Sequence, residues 1–475
     1  MAVDLVLKGG TVVTEGGPVQ ADVAVTGGII VGLTAAGAGP QARRTVDVTG
    51  MYVLPGVIDT HSHHREPGYT HKEDIITGTS ASAAGGVTVS SAMPNVYPPP
   101  TTPEILRDMF ALYEKKSLID YNINAASSNL EAIPEIAKMG IMSFKIFMVV
   151  DTGRDYPHMP GIGIHDHGKL LKMCQAVQKT GLPIMIHPHD QALMNVIEQE
   201  FWDRGEHDFR AYAKAYSAMD GVIWDTAVGV LLRIQQASGV HMHLLHLQTG
   251  QCVEMIKAAR AQGRPVTSEV NPWTLWLGND WANVERLGSY ALSYYVEPHN
   301  SEAVWQGLLD GTLDMIATDH APHTREEKEP GWTNGWKAHT GTPSAQEYVS
   351  MLMTDVNDGK LTIKKAVELL SENPAKVFKL YPKKGAIRIG ADADFAVIDM
   401  NAELTLNNER VISKCGWTPY AGKKVKGLPV HTIVRGNFVF EDGKLVGEPG
   451  RGEKASPLTA EQAARLQTAP AVVPA

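Results

Sequence analysis

A His-x-His pair stands at His61 and His63, inside the run Asp59-Thr60-His61-Ser62-His63. Side chains alternate along a strand with period two, so both imidazoles leave such a strand on the same face. At the trailing ends of other short apolar runs stand Lys145, His187, His246 and Asp319. Together these side chains can hold two metal ions. Any one strand histidine is more often a structural group than a ligand, a lone lysine can snorkel, and a lone aspartate can cap a turn. It is the conjunction that points to a site.

Lys145 is the most informative member. It lies in Ser143-Phe144-Lys145-Ile146-Phe147, where a charged ammonium is costly to bury. A neutral amine there can react with CO2 to give a carbamate, whose two anionic oxygens can bridge two cations. Two divalent cations about 3.5–4 Å apart can hold a bridging hydroxide, polarise a carbonyl and present the nucleophile to it. Imidazole and carboxylate donors suit zinc, with manganese or iron as the other options. Asp319 is expected to bind one metal through one oxygen, take the hydroxide's proton on the other, and return it to a leaving nitrogen. That proton points to an amide substrate, and no serine or cysteine nucleophile is required.

Such a set needs a scaffold that brings distant strand ends together. Strands are expected over Val53–Asp59, Val87–Ala92, Tyr121–Ala126, Met142–Met148, Pro183–His187, Met242–Leu247, Pro265–Val270 and Leu313–Thr318. Helical patterns fill the gaps, among them Pro103–Lys116, Lys169–Thr180 before Gly181, and Thr226–Ala237 before Gly239. Eight such units imply an α/β fold, a (β/α)8 TIM barrel with its active site at the C-terminal ends of the strands. Short Gly-punctuated β segments before Val48 and again from Asp394 suggest a small β-sandwich built from both chain ends. The expected division is 1–50 and 385–450 for the two parts of the sandwich, 51–384 for the barrel and 451–475 for a C-terminal tail, frayed or lying along a neighbouring subunit. Val149–Gly168, rich in Gly, Pro and Asp, is expected to loop over the barrel mouth, where a lid role is one reading.

Composition narrows the partners. The 475 residues are 43% hydrophobic and 20% charged, with a net charge of −9 and no basic run. Nucleic acid is therefore not an expected partner, and a small molecule is. Cys174, Cys252 and Cys415 are odd in number and lack Cys-x-x-Cys spacing, which fits idle thiols in a reducing compartment. No signal peptide or membrane span is legible, so a cytoplasmic location is expected.

Gly56-Val57-Ile58-Asp59-Thr60-His61-Ser62-His63, Met93-Pro94-Asn95, Ser143-Phe144-Lys145, Ile186-His187, Leu245-His246 and Thr318-Asp319-His320-Ala321-Pro322-His323 resemble the cyclic amidohydrolases. That group holds dihydroorotases, allantoinases, hydantoinases and dihydropyrimidinases, and the resemblance runs from about Asp4 to about Gly447. It implies two divalent metal ions on His61, His63, carboxylated Lys145, His187, His246 and Asp319, with Asp319 as general base and acid in opening a cyclic amide ring. It also implies a homo-oligomer, dimer or tetramer. By likeness to dihydroorotases, Arg65, Asn95 and His323 hold a substrate carboxylate. Other features lean elsewhere: Val149 and Val150 stand where hydantoinases often carry a tyrosine, with Tyr156 further on, and Trp273, Trp276 and Trp281 crowd the loop after strand 7. The ring's identity stays open, a cyclic imide or other non-pyrimidine amide included.

Two competing readings carry less. A catalytically silent, dihydropyrimidinase-like scaffold would have lost metal ligands, and all six positions are filled; a mononuclear deaminase would lack Lys145. His165 and His167 repeat the His-x-His spacing among polar and Gly neighbours and are read as solvated. His64, His71, His189, His241 and His243 are read as supporting or structural.

Overall fold

The computed structural model describes residues 2–149, 162–291 and 294–467. Five strands open the chain: β1 (Val3–Thr14), β2 (Gly17–Thr26), β3 (Ile29–Ala35), β4 (Ala42–Asp47) and β5 (Tyr52–Pro55). Eight more follow: β6 (Val57–Ser62), β7 (Val87–Ala92), β8 (Asp120–Ala126), β9 (Ser143–Phe147), β10 (Ile184–His187), β11 (Met242–Leu244), β12 (Val266–Val270) and β13 (Met315–Ile316). Every residue of β6 to β9 is buried, as parallel strands covered on both faces must be.

These eight strands pair in chain order, all parallel. The ring closes between the first and last of them. Asp59 accepts hydrogen bonds from the Thr318 backbone N–H and hydroxyl at 3.0 and 2.6 Å, Ser62 bridges to His320, and the His63 N–H donates to the His320 carbonyl at 2.7 Å. The result is the expected (β/α)8 barrel.

Four strands end the chain: β14 (Phe395–Thr405), β15 (Lys424–Val434), β16 (Asn437–Glu441) and β17 (Lys444–Leu445). The sandwich expected from the two ends forms as one nine-stranded sheet, in the order β17-β16-β15-β14-β5-β1-β2-β3, with β4 also beside β1. It encloses a core of its own that includes Leu7, Val12, Val23, Val53, Phe395 and Ile433.

Boundaries differ from expectation where one residue changes the partner. The expected first barrel strand, Val53–Asp59, is two strands: β5 pairs with β1 and β14 in the end sheet, which therefore reaches past residue 50, and β6 starts the barrel. Gly56 separates them, at a point where a Cβ would collide with Thr88. Pro103–Lys116 is helical as expected, capped by Thr102, whereas the helix expected from Lys169 begins at His167 behind an Asp166 cap. The helix expected over Thr226–Ala237 lies within Ala218–Ser238, whose first turn is broken by left-handed backbone at Met219, Asp220 and Gly221, and ends at Gly239, whose φ of +69° suits the glycine.

The start of the tail is tied down. The Ala455 N–H donates to Tyr121 and its carbonyl accepts from Asn122, at the entry to β8, while Ala460–Gln467 is a helix with no buried residue. Residues 150–161, which hold most of the loop expected over the barrel mouth and Tyr156, lie outside the described residues. No described helix is long and apolar enough to cross a membrane.

Candidate metal centre and active site

The barrel delivers each candidate ligand to its C-terminal end. His61 is in β6 and His63 one residue beyond it; Lys145 is inside β9; His187 ends β10; His246 and Asp319 lie just past β11 and β13. Three residues here adopt left-handed backbone: Arg65 (φ 60°), His246 (φ 37°) and Asp319 (φ 47°). A non-glycine residue in that region costs of order 1–3 kcal/mol and persists where its surroundings over-determine it.

Asp319 Oδ1 lies 3.1 Å from His61 Nε2 and 3.3 Å from His63 Nε2. His187 Nδ1 and His246 Nε2 are 2.7 Å apart, and the His61 and His246 rings are 5.8 Å apart. The five side chains thus form one cluster. The Lys145 amine, buried, has no hydrogen-bond partner and sits 4.3 Å from the Phe147 ring centre.

Burial sets the protonation of this cluster. It pushes His63 down to about 3, His246 down to about 4, His187 well below the usual histidine value and Lys145 down to about 7. Burial also acts to lower His61, but the Glu269 and Asp319 carboxylates raise it to about 9. Asp319 itself is opposed by burial and still held well below the usual carboxylate range, chiefly by His61. Three neutral imidazoles, a fourth with its outer nitrogen engaged, an ionised carboxylate and an unpaired amine that loses its proton near neutral pH make a donor set that fits divalent cations.

Supporting groups orient the candidate ligands. His61 Nδ1 donates to Glu269 Oε1 at 2.5 Å, and Glu269 Oε2 faces His243 Nε2 at 3.3 Å. His63 Nδ1 donates to Asn95 Oδ1 at 2.6 Å. Asn271 Nδ2 donates to Asp319 Oδ2 at 3.3 Å.

Above the ligands opens a pocket with about 800 Å³ of empty space, solvent at its mouth included. Its lining includes His63, Arg65, Asn95 and Asp319 together with aromatic rings. Arg65 is 1% exposed. Its Nε donates to the Pro322 carbonyl at 3.2 Å, Nη2 lies 3.0 Å from His323 Nε2, and Nη1 has no partner. His323 does not line the pocket; fully buried, it stands behind Arg65. Lys72, also buried, reaches His323 Nδ1 at 3.3 Å, His339 Nδ1 at 3.2 Å and Glu327 at 2.8 Å.

Residues 52–439 match the amidohydrolase family. The chain belongs to that family. Its sequence is 29% identical to an L-hydantoinase of Paenarthrobacter aurescens, over 95% of this chain and 97% of that one. It is 32% identical to a dihydroorotase of Lactobacillus delbrueckii subsp. bulgaricus, over 92% of this chain and 99% of that one. Among solved structures it resembles the L-hydantoinase (dihydropyrimidinase) from Arthrobacter aurescens, with a TM-score of 0.90 and 28% identity, over 96% of this chain and 100% of that one.

The amidohydrolase brings all six expected ligand side chains to one barrel end. Sequence reasoning missed Glu269, whose one signal is an acidic residue inside a buried strand, and Asn271, which carried none. Asn95, expected as a substrate contact, also positions His63. The other histidines fall as expected: His64 bonds Tyr113, His165 and His167 are exposed, His189 meets Gln191, and His241 and His243 share Thr267. Exposed His71 reaches Glu327.

Proposed function

We propose that this amidohydrolase opens the ring of a cyclic amide that carries a carboxylate, with His61, His63, carboxylated Lys145, His187, His246 and Asp319 as ligands of two divalent cations, zinc by donor type. The observation that carries the reading is Lys145. An amine buried without a partner and pushed down to about 7 has a substantial uncharged fraction near neutral pH, the form that attacks CO2. The reaction joins the lysine nitrogen to the CO2 carbon, releases one proton and leaves a carbamate. Bound there, the cations supply Lewis-acid polarisation of the amide carbonyl and lower the pKa of water.

The chain's own groups do the rest. Asp319, held ionised, accepts the proton of the attacking water and donates it to the ring nitrogen as that nitrogen leaves. Asn271 fixes the carboxylate through Oδ2, and Glu269 keeps the His61 proton on Nδ1. Arg65 offers its unpartnered Nη1 to the substrate carboxylate. With Oδ1 of Asn95 engaged, its Nδ2 is the group left for a substrate oxygen. His323, behind Arg65, holds the guanidinium at the pocket wall.

Lys145→Ala tests this. The variant is expected to lose turnover and metal together, with partial recovery when a short carboxylic acid supplies the missing oxygens. Full metal content with full activity in Lys145→Ala overturns the assignment. The free, buried cysteines agree with a reducing, cytoplasmic setting. The family likeness extends the proposal to a dimer or tetramer, whose mass sedimentation measures.

A further inference from the structure

The interior of a closed parallel barrel is ordinarily filled by layers of branched apolar side chains. Between β11 and β12 this interior is polar. His241, just before β11, and His243, within it, are two residues apart, as are Thr267 and Glu269 on β12, so each pair leaves its strand on one face. The strands run parallel with His243 paired to Thr267, and the two pairs mesh.

The four side chains make one hydrogen-bonded line that ends on a candidate metal ligand. His241 Nε2 lies 2.9 Å from Thr267 Oγ1, and Thr267 Oγ1 lies 2.9 Å from His243 Nδ1. His243 Nε2 lies 3.3 Å from Glu269 Oε2, and Glu269 Oε1 lies 2.5 Å from His61 Nδ1. The line thus starts at the N-terminal end of the barrel, where His241 and Thr267 are partly exposed, and reaches the cluster at the C-terminal end.

With a carboxylate at Glu269 and neutral imidazoles at His241 and His243, one placement of hydrogens serves every member. Glu269 has only acceptors to offer, so His61 donates to it from Nδ1 and His243 from Nε2. His243 then carries a bare Nδ1, which accepts the Thr267 hydroxyl hydrogen. The Thr267 oxygen accepts in turn from His241 Nε2. Every donor in the line points toward Glu269.

The middle of the line has no substitute partners in water. His243 and Glu269 are fully buried, and the His243 ring stands edge-on to Phe378 at 5.4 Å. Without the Thr267 hydroxyl hydrogen, nothing holds the His243 proton on Nε2. Glu269 Oε2 would then keep only its longer bond from the Thr60 hydroxyl, at 3.4 Å. A carboxylate so freed swings about its last bond, and the His61 ring loses the partner that fixes its orientation.

We propose that Thr267, His243 and His241 are positioning residues for the metal centre: their line fixes Glu269, Glu269 fixes His61, and the affinity of the centre is set in part from the opposite end of the barrel. The inference deepens the metal-dependent reading above and rests on it.

The test is a double-mutant cycle read by zinc affinity, measured on the full-length apoprotein by competition with a chelator. Thr267→Val removes the hydroxyl and keeps the branched shape. It is expected to weaken zinc binding by roughly 3–10-fold, short of the roughly 10–100-fold typical of a group that bonds the ligand directly, with Thr267→Ser restoring the parent value. In a Glu269→Gln background the same substitution is expected to change affinity by less than about twofold, because the line is already cut. A second readout needs no metal. In apoprotein carrying 15N-labelled histidine, the His61 Nδ1 proton is expected at low field, as a short bond to a carboxylate requires, and is expected to move upfield in Thr267→Val. Should Thr267→Val fold poorly, His241→Leu cuts the line at its partly exposed end and carries the same expectations. Zinc affinity equal to the parent's overturns the proposal, and so does a loss of the same size with and without Glu269, which would mean that the hydroxyl only packs the barrel. A parent that binds no zinc fails the metal reading instead. The imidazole proton still decides the line in that case, and an unmoved His61 resonance ends it.

Discussion

At the scale of single residues, the candidate chemistry turns on carboxylates whose state is set by neighbours. Asp319 is kept ionised by the imidazoles around it, the state in which the proposed mechanism has it accept a proton. Asp319→Asn is expected to keep most of the metal and to lower turnover by roughly 10²–10⁴, checked by metal content and kcat on the same sample. Because ionised Asp319 is the active form and its pKa lies well below the usual carboxylate range, the parent rate should fall only at strongly acid pH, and that limb should vanish in the variant. Glu269 acts one step removed. Burial works to raise its pKa, yet the charge of His61 holds it down to about 2. Glu269→Gln is expected to weaken metal binding by roughly 10–100-fold, read by competition with a chelator, with turnover largely restored at saturating metal. The six candidate ligands could be picked out of the sequence because residue types able to hold a metal are few and these stand at strand ends. Glu269 and Asn271 were not, since their roles are defined by partners 208 and 48 residues away.

At the scale of elements, barrel strands were readable because parallel strands buried on both faces leave unbroken apolar runs, and β7 matches its expected bounds to the residue. The join at Gly56 was not readable, because β5 and β6 form one apolar run and which sheet takes each half is settled only by pairing. The kink at Met219–Gly221 was equally hidden, being fixed by Asn300 and Thr249 from other elements. The loops after β6 and β13 are cross-braced in the same distant way, by Arg65 with His323 and by Lys72 with Glu327 and His339. Burial pushes Lys72 down to about 8, and its pairing with Glu327 keeps it charged at neutral pH. Arg65→Met is expected to cost roughly 2–5 kcal/mol in kcat/KM on a ring bearing a carboxylate, and far less on a neutral cyclic amide. Lys72→Met should leave Arg65 present but loosely held, raising KM for the carboxylated ring more than it lowers kcat. Equal losses on charged and neutral rings in both variants would make these loops structural braces and remove the anion site.

At the scale of the whole molecule, the barrel and the end sheet are tied together by buried charge. Lys384 places its ammonium between Asp120 at 2.7 Å, on the first residue of β8, Asp394 at 2.6 Å, just before β14, and Asp392 at 3.0 Å. Arg435, just after β15, adds a second cation, 2.7 Å from Asp120. Three acidic side chains in reach of one another look like a cation site, and the cation is Lys384 itself. Burial acts to lower the lysine pKa, but Asp120, Asp394 and Asp392 raise it well above the usual value. A raised lysine pKa contributes stability that is complete below the unfolded value of about 10.4 and is lost as pH climbs through the folded value. Lys384→Met takes the shared cation from three buried carboxylates, leaving Arg435 to Asp120 and Lys383 to Asp392, and removal of one partner from a buried ion pair costs about 3–5 kcal/mol. The variant should therefore unfold at clearly lower denaturant concentration at pH 7, and the gap to the parent should narrow only above about pH 10.4. The candidate metal centre lies at the opposite, C-terminal end of the barrel, so folded variant should keep its metal content and its rate at low temperature. A variant as stable as the parent at pH 7 would mean that the three carboxylates are neutralised some other way, and that the two sheets are joined by packing alone.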